Sequence, residues 1–164
     1  MNTEKLLEAI RDSLAEITAS RFYETERGFQ GELIAELRKR LTDSVLPERA
    51  ILEQEYQKRL KTHGLDIRPD IIIHEPFDQT RHSNRQSGNH AVFELKRRAA
   101  EVGASQAFDS LGKMLQVLDY PIGIFVNIDS DATFSASVPK DFQDRIVCFA
   151  VRLGADGKPE VRQD

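Results

Sequence analysis

The sequence predicts an α/β (α+β) fold, a central mixed sheet flanked by helices. Three observations predict it. Apolar residues recur at helical spacing in three separate stretches. Short β-branched runs bracketed by turn formers occupy 70–74 and 89–96. A further apolar run, 123–128, follows directly on a helix, so it is expected to run parallel to a strand already placed. With 164 residues the chain is expected to make one domain, 1–164, with 1–20 as an N-terminal helical extension and 154–164 as a polar tail.

Each element has its own signal. Leu6, Ile10, Leu14 and Ile17 fall three and four apart and predict a helix from 3 to about 19, with Thr3 as N-cap. Residues 21–28 read as a charged connector. Phe29, Leu33, Leu37 and Leu41 predict a second helix, with Glu32 and Glu36 one turn apart along one flank. After a linker broken by Pro47, residues 50–56 alternate as a half-exposed strand would, although a short helix also fits; His63-Gly64 marks a turn. The run Asp70 to His74 and the run Asn89 to Lys96 read as buried strands. Between them, residues 75–89 are polar and aperiodic, as functional or disordered loops often are. Phe108, Leu111, Leu115 and Leu118 predict a third helix from about Ser105 to Tyr120, stopped by Pro121. Gly123 to Ile128 reads as a buried strand, and Asp144 to Arg152 as an edge or near-edge strand. Cys148, within the latter, is expected to be a buried, inert thiol. The polar end from Gly154 onward is expected to fray.

The chemistry concentrates on the two central runs. If they pair antiparallel with His74 opposite His90, counting back sets Asp70 opposite Glu94, about 4.5–5.5 Å apart at Cβ. Alternation then sets Lys96 on the face of Glu94. Two carboxylates that close repel and are costly to bury. A divalent cation such as Mg²⁺ removes the conflict, because it takes hard oxygen ligands. Glu94-Leu95-Lys96 is the only Glu-x-Lys in the chain, and it closes an apolar strand.

Pro69-Asp70, a gap, then Glu94-Leu95-Lys96 resembles the signature of the PD-(D/E)XK nuclease superfamily, over residues 20–130. The resemblance implies the restriction-endonuclease-like αβββαβ core. It also implies a Mg²⁺- or Mn²⁺-dependent enzyme that hydrolyses phosphodiester bonds of nucleic acid, DNA above all. On that pattern Asp70 and Glu94 hold the metal with the backbone carbonyl of Leu95, and Lys96 orients or activates water or stabilises developing charge. The helical glutamate of the family, which joins the metal site or orients water, is expected at Glu32, with Glu36 in reserve. One competing reading is a catalytically silent nuclease-like module that binds or regulates with a partner protein. Another is structural: Asp70 caps a strand and Glu94 pairs with Lys96 or Arg97.

A net charge of −4 argues against a nucleic-acid coat protein but leaves room for local basic groups. The candidates for nucleic-acid contact are Arg81 and Arg85 in the polar loop, Arg97-Arg98, and Gln106 and Lys113 on the third helix; Arg38-Lys39-Arg40 and Lys58-Arg59-Leu60-Lys61 are further basic runs. No apolar run approaches the roughly 20 residues of a membrane span. The start of the chain does not read as a secretory signal, and a lone cysteine excludes an internal disulfide. A cytoplasmic location is expected. The four histidines show no ligand spacing. With no recognition module in the sequence, a homodimer mate or partner protein is expected.

Overall fold

The computed structural model describes residues 1–54, 65–84 and 86–164. Helix α1 (Thr3–Ala15) starts from Asn2, whose extended backbone and side-chain oxygen, accepting from Lys5 N at 3.1 Å, make it the N-cap in place of Thr3. The helix stops at Ala15, before the expected end, but Ile17 remains buried and its carbonyl accepts from the Tyr23 hydroxyl at 2.9 Å. Helix α2 (Glu26–Arg40) begins three residues before Phe29, because Thr25 caps it by accepting from Gly28 N at 3.0 Å.

Strands β1 (Ile51–Gln54), β2 (Ile71–His74), β3 (Asn89–Arg97), β4 (Ile122–Ile128), β5 (Ile146–Leu153) and β6 (Pro159–Gln163) form one sheet in sequence order. β1, β2 and β3 pair antiparallel, β3, β4 and β5 parallel, and β5 and β6 antiparallel. Helix α3 (Glu101–Val117) makes the crossover from β3 to β4. The order α2-β1-β2-β3-α3-β4 is the helix, three strands, helix, strand order expected from the sequence. The fold is mixed α+β, a six-stranded mixed sheet among the described residues, flanked by helices.

Strand alternation divides the apolar residues between two layers. Ile71, Ile73, Phe93, Leu95 and Val126 face α1 and α2. Ile72, Val92, Phe125 and Cys148 face α3, where Phe108 meets Phe125 edge-on at 5.0 Å. Cys148 is a fully buried thiol whose pKa burial pushes up to about 12, as an inert cysteine requires. Leu6, Ile10 and Leu14 of α1 lie in the main core, so the first helix is no mere extension.

The polar end corrects the expectation of fraying. Residues 154–157 turn at Gly157 (φ 75°), and β6 then pairs with β5 from Leu153↔Pro159 to Phe149↔Gln163. Residues 55 and 56 of the expected first strand, the basic run 58–61 and the turn at 63–64 lie outside the described residues. Among the described residues no helix is long and apolar enough to cross a membrane.

Candidate active site

Ile71 pairs with Phe93, Ile72 with Val92 and Ile73 with Ala91. One further step along that register sets Asp70, in the bend before β2, across from Glu94. Asp70 is held from two sides. Its Oδ2 accepts from the Leu95 backbone N–H at 2.7 Å, and its carbonyl accepts from Gln30 Nε2 of α2 at 2.5 Å.

Glu94 is buried, with 7% of its surface exposed. Burial pushes its pKa up to about 8, and the Asp70 charge, with a smaller contribution from Glu26, adds to the rise; Lys96 opposes it. Lys96 Nζ stands 3.7 Å from Glu94 Oε2 and donates to the Leu95 carbonyl at 3.0 Å. Asp70, Glu94, the Leu95 carbonyl and Lys96 therefore meet at the end of β3 that feeds α3. Beside them Asn127, paired with Lys96 in the ladder, is fully buried; its side chain accepts from Ala99 N and donates to the Ala132 carbonyl, tying the turn into α3 to the chain after β4.

Among the described residues no group of three or more His, Cys, Asp or Glu side chains could hold a metal ion. The oxygen donors that meet here are two carboxylates and a carbonyl. That set suits Mg²⁺, which commonly takes one or two carboxylates and keeps its remaining positions for water or phosphate.

The helical glutamate is the point of difference. Glu32 lies about 160° round α2 from Gln30 at 3.6 residues per turn, on the side away from Asp70. Glu36 is engaged by Lys39 at 2.5 Å and Arg40 at 2.8 Å, which hold its carboxyl below the usual range. Glu26, one turn before Gln30, shares the site's side of the helix, and its Oε1 accepts from Arg97 N at 3.3 Å. In the sequence Glu26 reads as part of a connector; the signal that puts it in the helix is Thr25, an N-cap residue followed at once by an acidic first turn.

The basic candidates separate by alternation. Arg97 follows Leu95 to the α2 face, opposite Lys96; its Nε donates to the Tyr23 carbonyl at 2.6 Å and its NH2 lies 3.3 Å from Asp129. Arg98 has a left-handed backbone (φ 48°) and an exposed side chain 2.7 Å from Asp129, itself left-handed (φ 58°). Gln106 and Lys113 are exposed on α3, two turns apart and turned from the sheet. Arg81 pairs with Asp78 at 3.6 Å, and Arg85 lies outside the described residues.

His74 and His90 do not face each other, because the register shifts after Ile73 and pairs His74 with Asn89. His74 bonds Glu53 across β1 at 2.5 Å. His90 and His82 both contact Glu75, at 3.2 and 3.4 Å, closing the base of the polar loop where Glu75 N donates to the Gly88 carbonyl. The loop also lines a concavity of about 800 Å³ with Arg49, Phe77 and Arg81 on its walls.

No protein-family model matches the chain, and no curated protein matches it. Among solved structures it is similar to NucC of E. coli MS115-1 in its cAAA-bound form, at 15% identity and TM-score 0.49, over 98% of this chain and 81% of that one. It is similar to NucC of P. aeruginosa ATCC27853, cAAA-bound, at 15% identity and TM-score 0.49, over 97% and 81%.

Proposed function

We propose that the chain is a metal-dependent nuclease that hydrolyses phosphodiester bonds of nucleic acid, DNA in the first instance. The meeting of Asp70, Glu94 and Lys96 at one end of β2 and β3 carries this reading. Two carboxylates and an ammonium brought together from separate strands, with burial pushing Glu94 up to about 8, are the arrangement expected of a functional site, and a cation between the carboxylates would relieve their repulsion.

Asp70, Glu94 and the Leu95 carbonyl would hold Mg²⁺ or Mn²⁺. Bound there, the ion would polarise a phosphoryl oxygen and make its water more acidic. The chain's own groups do the rest. The Leu95 amide fixes the Asp70 carboxylate before a ligand arrives. Glu94 would hold the cation as the carboxylate, its proton passing to solvent water. Lys96 leaves the Leu95 carbonyl and turns its ammonium toward the attacking water or the charge developing at phosphorus. Glu26 takes the part of the helical carboxylate in place of Glu32. Arg98, exposed at the rim, meets a backbone phosphate.

The test is a cleavage panel of plasmid, single-stranded and branched DNA and RNA with Mg²⁺ or Mn²⁺, with Lys96→Ala alongside. Cutting is expected to require the metal and to vanish in folded Lys96→Ala. Cutting by that variant at the wild-type rate would remove the assignment.

A second reading is a catalytically silent module that acts with a partner protein. One observation favours it: Lys96 already satisfies the Leu95 carbonyl and lies near Glu94, so the cluster is closed without a metal. Calorimetry separates the two, since a silent module takes up no Mg²⁺ or Mn²⁺ at millimolar concentration.

A further inference from the structure

We infer that Gln30 is a positioning residue for Asp70, fixing from α2 the carboxylate on which cation binding depends; this rests on the function proposed above. Gln30 is 5% exposed and sits between Phe29 and the Leu33–Ile34 pair, all buried. A primary amide in such a place is costly unless it is hydrogen-bonded. Its Nε2 finds the Asp70 carbonyl at 2.5 Å.

That carbonyl precedes the first ladder residue of β2, Ile71. Helix α2 therefore supplies a bond to Asp70 just where the ladder begins. The Asp70 side chain is held separately, by the Leu95 amide of β3 at 2.7 Å. A backbone attachment from one layer and a side-chain attachment from the other together fix both the bend and the direction of the carboxylate. With the carbonyl bond removed the bend keeps only its side-chain attachment to the Leu95 amide, and the direction of the carboxylate is less firmly fixed. Groups that orient a metal's ligands in this way typically change affinity 10- to 100-fold when removed.

The experiment titrates Mn²⁺ into wild type, Gln30→Met and Gln30→Leu by calorimetry, with urea unfolding to confirm the fold and cleavage measured across Mn²⁺ concentration. Met keeps the length and flexibility of the side chain without its donor, and Leu is the second variant should Met pack poorly. The expected result is an Mn²⁺ affinity weakened at least tenfold. KM for nucleic acid should stay unchanged, and excess Mn²⁺ should restore most of kcat. A purely structural role would lower stability without rescue by the ion. An affinity within about twofold of wild type in a folded variant overturns the inference while leaving the proposed nuclease intact. A wild-type protein that binds no Mn²⁺ overturns both.

Discussion

Lys96 Nζ lies 3.7 Å from Glu94 Oε2, two residues away on the same face of β3, and donates to the carbonyl of the residue between them. The ammonium is the positive charge that offsets Glu94's burial and the repulsion from Asp70. Truncation to alanine removes that offset and the group proposed to act at the phosphoryl centre. With a third of its side chain exposed, Lys96 contributes little to packing. Lys96→Ala is therefore expected to lower single-turnover cleavage at least about 100-fold. The unfolding free energy from urea titration should fall little, by about 1 kcal/mol or less. A parallel loss of stability and activity would mark Lys96 as structural.

Glu94 sets a pH dependence whose sign follows from its raised pKa. Between the ordinary value of 4.5 and about 8 the folded protein keeps a proton that the unfolded chain has released. Stability contributed at low pH therefore declines as pH rises through that window and levels off above it. Glu94→Gln keeps the shape and removes the titration. In metal-free buffer the variant should be more stable than wild type at pH 8, on the order of 2–4 kcal/mol, with the gap closing toward pH 5. Urea unfolding from pH 5 to 9 checks this; equal slopes for the two proteins would show that Glu94 ionises freely when folded.

The facing of Asp70 and Glu94 was legible because the alternation around it is strict. Ile71 and Ile73 bury on one face and Ile72 on the other, and a one-residue slip would invert them all. The shift at His74 was not legible. It accompanies contacts of His90 with Glu75 and of His74 with Glu53, pairings distant in sequence that no periodicity records. Glu26 is not legible from the apolar stripe, which begins at Phe29, and only the Thr25 cap brings it into α2. Gln30 lies inside the stripe's span, but its bond to Asp70, 40 residues on, leaves no local pattern. β6 escaped because an edge strand with one neighbour shows little apolar character: Glu160 and Arg162 are exposed, and Pro159 and Val161 only half buried.

Arg97 and Arg98 are adjacent in sequence but differ in their contacts and exposure. The Arg97 side chain is 29% exposed and joins β3 to the Tyr23 carbonyl and to Asp129, so Arg97→Ala takes from the Tyr23 carbonyl its Arg97 donor, while Asp129 keeps Arg98. It is expected to cost about 1–3 kcal/mol in urea unfolding. Arg98, with 64% of its side chain exposed, is expected to cost under about 1 kcal/mol when changed to alanine. Nucleic-acid affinity should respond in the reverse order. Arg98→Ala is expected to weaken binding and to reduce the slope of log K against log salt by about 1, the signature of one lost phosphate contact. A salt slope that changes with Arg97→Ala and not with Arg98→Ala would reverse the assignment.

Gly112 marks where α3 meets the chain that leads into β5. Glycine inside a helix costs about 1 kcal/mol relative to alanine, so an alanine there would ordinarily stabilise. A Cβ at this position would stand 2.6 Å from Phe142 Cε2 and 3.1 Å from Cζ. Phe142 belongs to the short 3₁₀ turn Lys140–Phe142 and packs against the core beneath α3, so its ring must move for the methyl to fit. The close approach is expected to outweigh helix propensity, and Gly112→Ala should lose about 1–2 kcal/mol. In Gly112→Ala/Phe142→Leu the smaller side chain makes room, and the two changes should cost less together than the sum of each alone. A double-mutant cycle by urea unfolding measures the coupling. Additive losses would mean that Phe142 gives way freely and that the contact does not explain the glycine.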